Sequence, residues 1–259
     1  VQTCALPILM FLGCPIRMIL RLGGGDLNAL FGIAGFAGGI GFGTIFLKKG
    51  YSLQRTYALS KLESAMMPAI QVGLLVLVVA APAFIFFSQK GPGAMHAPWL
   101  ISLAAGLVVG GLSQVSRLCT VGGFRDLFLF KKSILIFGYL AVLIGVFVVN
   151  ISFGNFHLGF ENQPIAHTDG LWNFLGMALA GFCSVLLGGC PLRQLIMTGE
   201  GNSDSAVTVL GLGAGAAFAH NFGLAASGAG PTLNGEIAVG VGFVVALIIA
   251  VVNTKRANA

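Results

Sequence analysis

Charge is what this sequence has least of. Of its 259 residues only 8% are Asp, Glu, Lys or Arg, against about 25% in soluble domains. With 56% apolar residues and a mean hydropathy of +0.94, too little polar surface remains to face water. The chain is therefore read as an integral membrane protein. Acid is scarcer than base, 8 Asp and Glu against 14 Lys and Arg. The basic residues are scattered over short loops, which suits membrane topology and excludes a nucleic-acid surface. The five cysteines include no C-x-x-C pair and no Cys/His spacing of the zinc type, so neither a structural metal nor thioredoxin-like chemistry has support. No cofactor is expected. Coupling-ion carboxylates are also lacking, since Glu63 and Asp126 sit at loop edges. The chain begins with Val1 and carries no signal-peptide n-region.

What is abundant is glycine, with 39 residues. That suits close helix approach and broken helices. Apolar runs able to cross a bilayer lie near 27–47, 66–88, 98–115, 134–151, 171–188, 207–227 and 236–253, after a short apolar piece at 5–13. Lys48, Lys49, Arg55 and Lys61 fill one loop, and Arg117, Arg125, Lys131 and Lys132 another, while Lys255 and Arg256 end the chain. The loops 89–97, 152–170 and 228–235 hold one lysine and no arginine. Seven alternating spans place every basic loop on one side, the cytoplasmic side by the positive-inside rule, with the C-terminus there too.

Two stretches repeat. "GCPIRMILRLGGG" (13–25) and "GCPLRQLIMTGEG" (189–201) share Gly-Cys-Pro-aliphatic-Arg with a Gly-x-Gly six residues past the Arg. Five spans separate them, an odd number, so the copies approach the membrane from opposite faces. This is the signature of an inverted repeat, with repeat-like halves of a single membrane domain at about 1–115 and 116–259 and a site near the midplane. Pro15 and Pro191 lack a backbone donor and favour the first turn of a new helix. A third stretch, "SRLCTVGGFRD" (116–126), sets Cys119 among Arg117, Gly122, Gly123 and Arg125 without the proline, and is read as a re-entrant or half-helix element. The first copy is preceded by about a dozen residues where the second has a full apolar helix, so the chain is expected to be truncated at its N-terminus.

A lone cysteine in a membrane helix is ordinarily a small buried hydrophobe. Three of them beside Gly and Arg, two inside a repeat, point to function. A thiol is a soft weak donor, and an Arg or a helix N-terminus beside it attracts an anion. Arg17, Arg117, Arg125 and Arg193 could simply mark topology or snorkel. Arg17 and Arg21, however, fall on the non-cytoplasmic side against the charge rule, which gives Arg17 a motif-borne reason. His220 and Asn221 lie in an expected span, where ionisable residues face the bundle interior and mark a pathway, a hydrogen-bonded structural His being the equal alternative. In "GEGNSDS" (199–205), Ser203, Asp204 or Ser205 is expected to cap a helix, with anion binding the alternative. Cys4 and Cys183 are read as structural.

The Cys stretches resemble those of the YeeE/YedE family of membrane sulfur transporters, closest to the YedE branch associated with selenium metabolism. The likeness runs over nearly the whole chain. It implies an all-α, polytopic membrane bundle in the bacterial inner membrane, with internal pseudo-symmetry and short helices dipping to a constriction lined by cysteines. It implies transport rather than enzymatic activity, of thiosulfate or of a selenium oxyanion or selenosulfur species. Thiols hand the anion along by S–H···S hydrogen bonds, and carried over residue by residue these are Cys14, Cys119 and Cys190. The bilayer, the anion and a cytoplasmic sulfur or selenium carrier protein are the expected partners. The rival reading is a membrane thiol-redox or sulfur-transfer protein using the same cysteines.

Overall fold

A computed structural model describes residues 8–53, 61–80 and 97–257. Cys4, Arg55 and stretch 81–96, which holds the end of one expected span and nearly all of the loop after it, lie outside the described residues. The fold is all-α. After a helical turn over residues 8–11 come α1 (Pro15–Gly23), α2 (Asn28–Lys48), α3 (Lys61–Ala80), α4 (Trp99–Val115), α5 (Thr120–Phe130), α6 (Ile134–Ser152), α7 (Gly170–Leu187), α8 (Pro191–Gly199), α9 (Ser203–Asn221) and α10 (Leu233–Ala257). Among the described residues, 5 stretches are long and apolar enough to cross a membrane: Asn28–Lys48, Trp99–Phe130, Ile134–Ser152, Gly170–Gly199 and Leu233–Thr254. The two longest each run through a break, between α4 and α5 and between α7 and α8. The span expected near 207–227 is helical only to Asn221. Small residues fill α9, and Asp204, His220 and Asn221 at its ends dilute its hydropathy.

The core sits around α7. In Gly170–Gly199, 72% of the most apolar stretch is buried, against 6% in Trp99–Phe130 and in Ile134–Ser152, which leaves α4 and α6 to face lipid. Helices α2 and α7 run parallel in backbone contact. Gly35 meets the Phe174 carbonyl, Gly39 the Ala178 carbonyl and Gly43 the Val185 side chain. Past the end of α2, the Tyr51 hydroxyl donates to Leu186 O at 3.3 Å.

The bundle therefore has two ends. At the Asp26 end, α1 hands over to α2 and the loop 153–169 crosses the junction. His157 donates to Gly24 O at 2.9 Å and Leu27 to Gly159 O at 3.0 Å. Helix α6 runs parallel to α1, with the Tyr139 hydroxyl donating to Pro15 O and Asn150 reaching Gly23 O. Helix α9 returns the chain to this same end, where Ala226 donates to Leu9 O at 3.3 Å. The helices that follow the two Cys-Pro motifs, α2 and α9, thus run in opposite directions. The opposite, Tyr51 end collects Lys48, Lys49, Lys131 and Lys132, so the loops grouped by charge are grouped in space.

Gly39 is a position where only the absence of a side chain allows the packing. Gly39→Ala is expected to destabilise the protein by about 1–3 kcal/mol, the cost of overpacking a tight contact. Gly106→Ala, where nothing lies within 4 Å, should leave the melting temperature in detergent unchanged.

Candidate functional site

The same chain break occurs three times, each time at a cysteine. Two residues before Cys14, Cys119 and Cys190 the backbone turns left-handed, at Leu12 (φ 60°), Arg117 (φ 51°) and Gly188 (φ 84°). The next N–H then reaches back over the end of the preceding helix: Gly13 to Ile8 O at 3.0 Å, Leu118 to Ser113 O at 3.0 Å, Gly189 to Ser184 O at 3.1 Å. This is the Schellman arrangement that stops a helix. The cysteine that follows is extended and is the N-cap of the next short helix, α1, α5 or α8. Pro15 and Pro191 occupy the first turn, as expected. Thr120 stands there in the third copy, and the Cys119 sulfur accepts from Gly122 N at 3.3 Å.

Three helix N-termini thus carry three thiols. The Cys119 and Cys190 thiols face each other within hydrogen-bonding reach. Cys190 is 1% exposed, with the Arg193 N–H and Thr120 beside its sulfur. The buried Thr120 hydroxyl lies against Cys190 but closes no hydrogen bond of good geometry. Tyr139 is near both Cys14 and Cys190, and its hydroxyl donates to Pro15 O at 3.2 Å. Phe11, Met18, Phe36, Ile40, Val121 and Met177 form one apolar cluster with Cys190, and Cys119 packs against it. Orphaned N–H groups and the helix dipoles supply positive potential there without formal charge, a setting that holds an anion.

On the Asp26 side lies an open cavity of about 480 Å³, lined among others by Arg17, Arg21, Asn150, Asn155, His157 and Gln163. The stem of Arg17 folds over Gly13, where an added Cβ would come within 2.8 Å of its Cδ, while its buried Nε has no partner. Arg17 therefore links the cavity to the break at Cys14. Arg21 is spoken for: its Nε donates to Asp26 Oδ2 at 2.6 Å, its Nη1 to Phe11 O at 2.6 Å, and its guanidinium stacks 4.2 Å from the Phe11 ring. Asn28 completes the knot, donating from N and Nδ2 to Asp26 Oδ1 at 2.9 Å and from Nδ2 to Phe160 O at 2.7 Å. Both ends of α1 are thereby tied, which fixes Cys14.

A family model described as "Sulphur transport" matches residues 115–256, from just before Cys119 almost to the end. The chain belongs to this family, the YeeE/YedE sulfur transporters. No curated protein and no solved structure matches it. Membership makes the protein a multi-pass membrane transporter rather than an enzyme, acting on a small anion within a lipid bilayer.

The remaining expected residues of this sulfur transporter fall in varied places. Arg193 is half-buried in α8 and its Nη1 donates to Gln114 Oε1 at 2.8 Å. Arg125 pairs with its neighbour Asp126 at 2.9 Å, and Arg117 is exposed at the break. His220 and Asn221 were expected inside the bundle but are exposed, and Asn221 bonds to its own helix at Ala217 O, 2.8 Å away. The cap of α9 is Asn202, whose side chain accepts from Ser205 N at 2.9 Å, one residue earlier than expected. Cys183 is buried in the core. Sequence reasoning missed Thr120, Tyr139, Asp26, Asn28, Gln114 and Glu200. For Asp26 a signal existed: Arg17 and Arg21 on the side poor in basic residues called for a counter-charge, and Asp26 is the next acid along the chain.

Asp26→Ala would strand a buried guanidinium. Removing one partner of such a pair costs about 3–5 kcal/mol, so the variant should melt well below the parent in detergent, whereas Arg125→Ala, on a half-exposed pair, should melt close to it.

Proposed function

We propose that the protein moves a sulfur oxyanion with a soft terminal atom, thiosulfate or its selenium counterpart, from the Asp26 end to the Tyr51 end. The anion gathers in the cavity beside Arg17, whose unpartnered Nε is a hard donor for oxygen. It then passes to Cys14 and on to the facing Cys119 and Cys190, whose thiols suit sulfur or selenium. The observation that carries this reading is the thrice-repeated break, which sets a thiol on a helix N-terminus each time. No covalent intermediate is required. The two Cys-Pro copies act as halves of an inverted repeat, a reading supported by the opposed directions of α2 and α9. The gathering of lysines at the Tyr51 end supports a cytoplasmic face there, in the inner membrane, with the C-terminus on that side and a sulfur or selenium carrier protein as the acceptor. Arg117, Arg125, His220 and Asn221 stay outside the path, being exposed or paired with a neighbour.

The closeness of Cys119 and Cys190 also favours a second reading, thiol-redox or sulfur transfer. Uptake of labelled thiosulfate and selenite into proteoliposomes separates the two. Transport by thiol relay predicts that Cys14→Ala, Cys119→Ala and Cys190→Ala each lose about tenfold or more, the worth of one hydrogen bond to a charged species. Competition by excess sulfate, which has no soft atom, should be weak. Full uptake in all three variants sinks the relay. A persulfide or mixed disulfide on Cys119, recovered by mass spectrometry after turnover, favours the redox reading instead.

A further inference from the structure

The two copies of the Cys-Pro motif differ at one place that the structure makes meaningful. Arg17 and Arg193 are equivalent, three residues after their cysteines. Seven residues further on stands Gly24 in the first copy and Glu200 in the second. Arg17 has no acid in reach from its own copy and lines an open cavity. Arg193 is closed into a ring: its Nη1 donates to Gln114 Oε1 at 2.8 Å, its Nη2 lies 3.8 Å from Glu200 Oε2, and Gln114 Nε2 donates to Glu200 Oε1.

The ring joins the two breaks whose thiols face each other. Gln114 lies in the last turn of α4, five residues before Cys119, and Arg193 is in the first turn of α8, where its own N–H faces the Cys190 sulfur. Glu200 caps the far end of α8. One anion-binding arginine is thus open, at the Asp26 end, and its counterpart beyond the cysteines is held by a carboxylate.

We propose that Gln114 and Glu200 hold Arg193 as a latch across the exit beyond Cys190, and that the transported anion releases it by replacing the Glu200 carboxylate on Arg193. The inference rests on the transport reading above. A sulfur oxyanion presents oxygens to a guanidinium as a carboxylate does. The Arg193 and Glu200 side chains are 22% and 36% exposed, and a pair this accessible is weak and exchangeable. An anion can shift such an equilibrium only by binding the released state better, and a freed Arg193 beside Cys190 supplies that difference. Gln114 and Glu200 are positioning residues, acting through Arg193.

The test reads Cys190 itself. Membrane-impermeant maleimide is added from the Tyr51 side, and the Cys190 adduct is followed by mass spectrometry, with and without thiosulfate. The latch predicts that Glu200→Gln and Gln114→Ala label about two- to fivefold faster than the parent, the range set by one exposed pair. Glu200→Asp should return the rate to the parent's. Thiosulfate should speed labelling of the parent and leave Glu200→Gln unchanged, and the KM for uptake should fall in Glu200→Gln with its melting temperature retained. Parent-like labelling of Glu200→Gln, in a protein whose parent imports thiosulfate, overturns the latch and leaves transport standing. A parent that imports neither thiosulfate nor selenite overturns the transport reading, and with it the anion as the releasing ligand.

Discussion

A backbone N–H or C=O left unpaired in hydrocarbon costs several kcal/mol, and breaking a helix inside an apolar bundle frees up to four of each. Everything at this site depends on how that problem is met. The answer is the same at all three breaks. A left-handed residue lets the next N–H close the end of the first helix, and a cysteine with extended backbone opens the second. Leu12 and Arg117 adopt the left-handed form despite their side chains, at about 1–2 kcal/mol each. That strain is tolerated because the alternative is a larger number of orphaned groups. The by-product is the useful part: thiols at helix N-termini, with first-turn N–H groups turned toward them.

The breaks are held in register by two different kinds of packing. In the centre, glycines allow α2 and α7 to touch along their backbones, a dispersion-driven contact that works in lipid, where burial of apolar surface supplies little. At the Asp26 end, polar groups do the holding. Arg21 reaches across its own short helix to the carbonyl of Phe11, before the break, and to Asp26, after the helix. Asn28 carries the connection on to Phe160. A nine-residue helix has little stability alone, so α1 is presented to the site by its ends rather than by its length.

Much of this was legible in the sequence, and the parts that were not share a cause. Apolar runs and charge placement marked the spans and grouped their loops, because both follow from the membrane directly. Cys-Pro-x-Arg marked two breaks through the proline. The third lacks proline, and its structural identity with the others rests on a left-handed residue that is Leu, Arg or Gly in the three copies, which leaves no common letter to find. The cap at Asn202 was off by one because Asn, Ser, Asp and Ser follow one another, and each is a competent cap. Tyr139, Thr120 and the Asp26 knot are tertiary facts: Tyr139 meets Pro15 across more than a hundred residues, and nothing local announces it. His220 and Asn221 stand where α9 ends, so their polarity goes with a helix end at the surface.

The separation of arginine from thiol along the proposed path has a physical logic. A site that conducts must bind an anion well enough to admit it and loosely enough to release it. A fully desolvated arginine beside each cysteine would hold a divalent oxyanion too tightly. Here the formal charge stands back from the apolar cluster at Cys190, with Arg17 lining the cavity and Arg193 turned aside toward Gln114 and Glu200. In the proposed relay the anion meets, between them, only partial charges from helix ends and weak, soft S–H donors. Those donors distinguish a terminal sulfur or selenium from a shell of oxygens, which prefers N–H and water. Under that proposal selectivity comes from the softness of the thiols and attraction from the arginines, and keeping the two apart lets the first operate without the second becoming a trap.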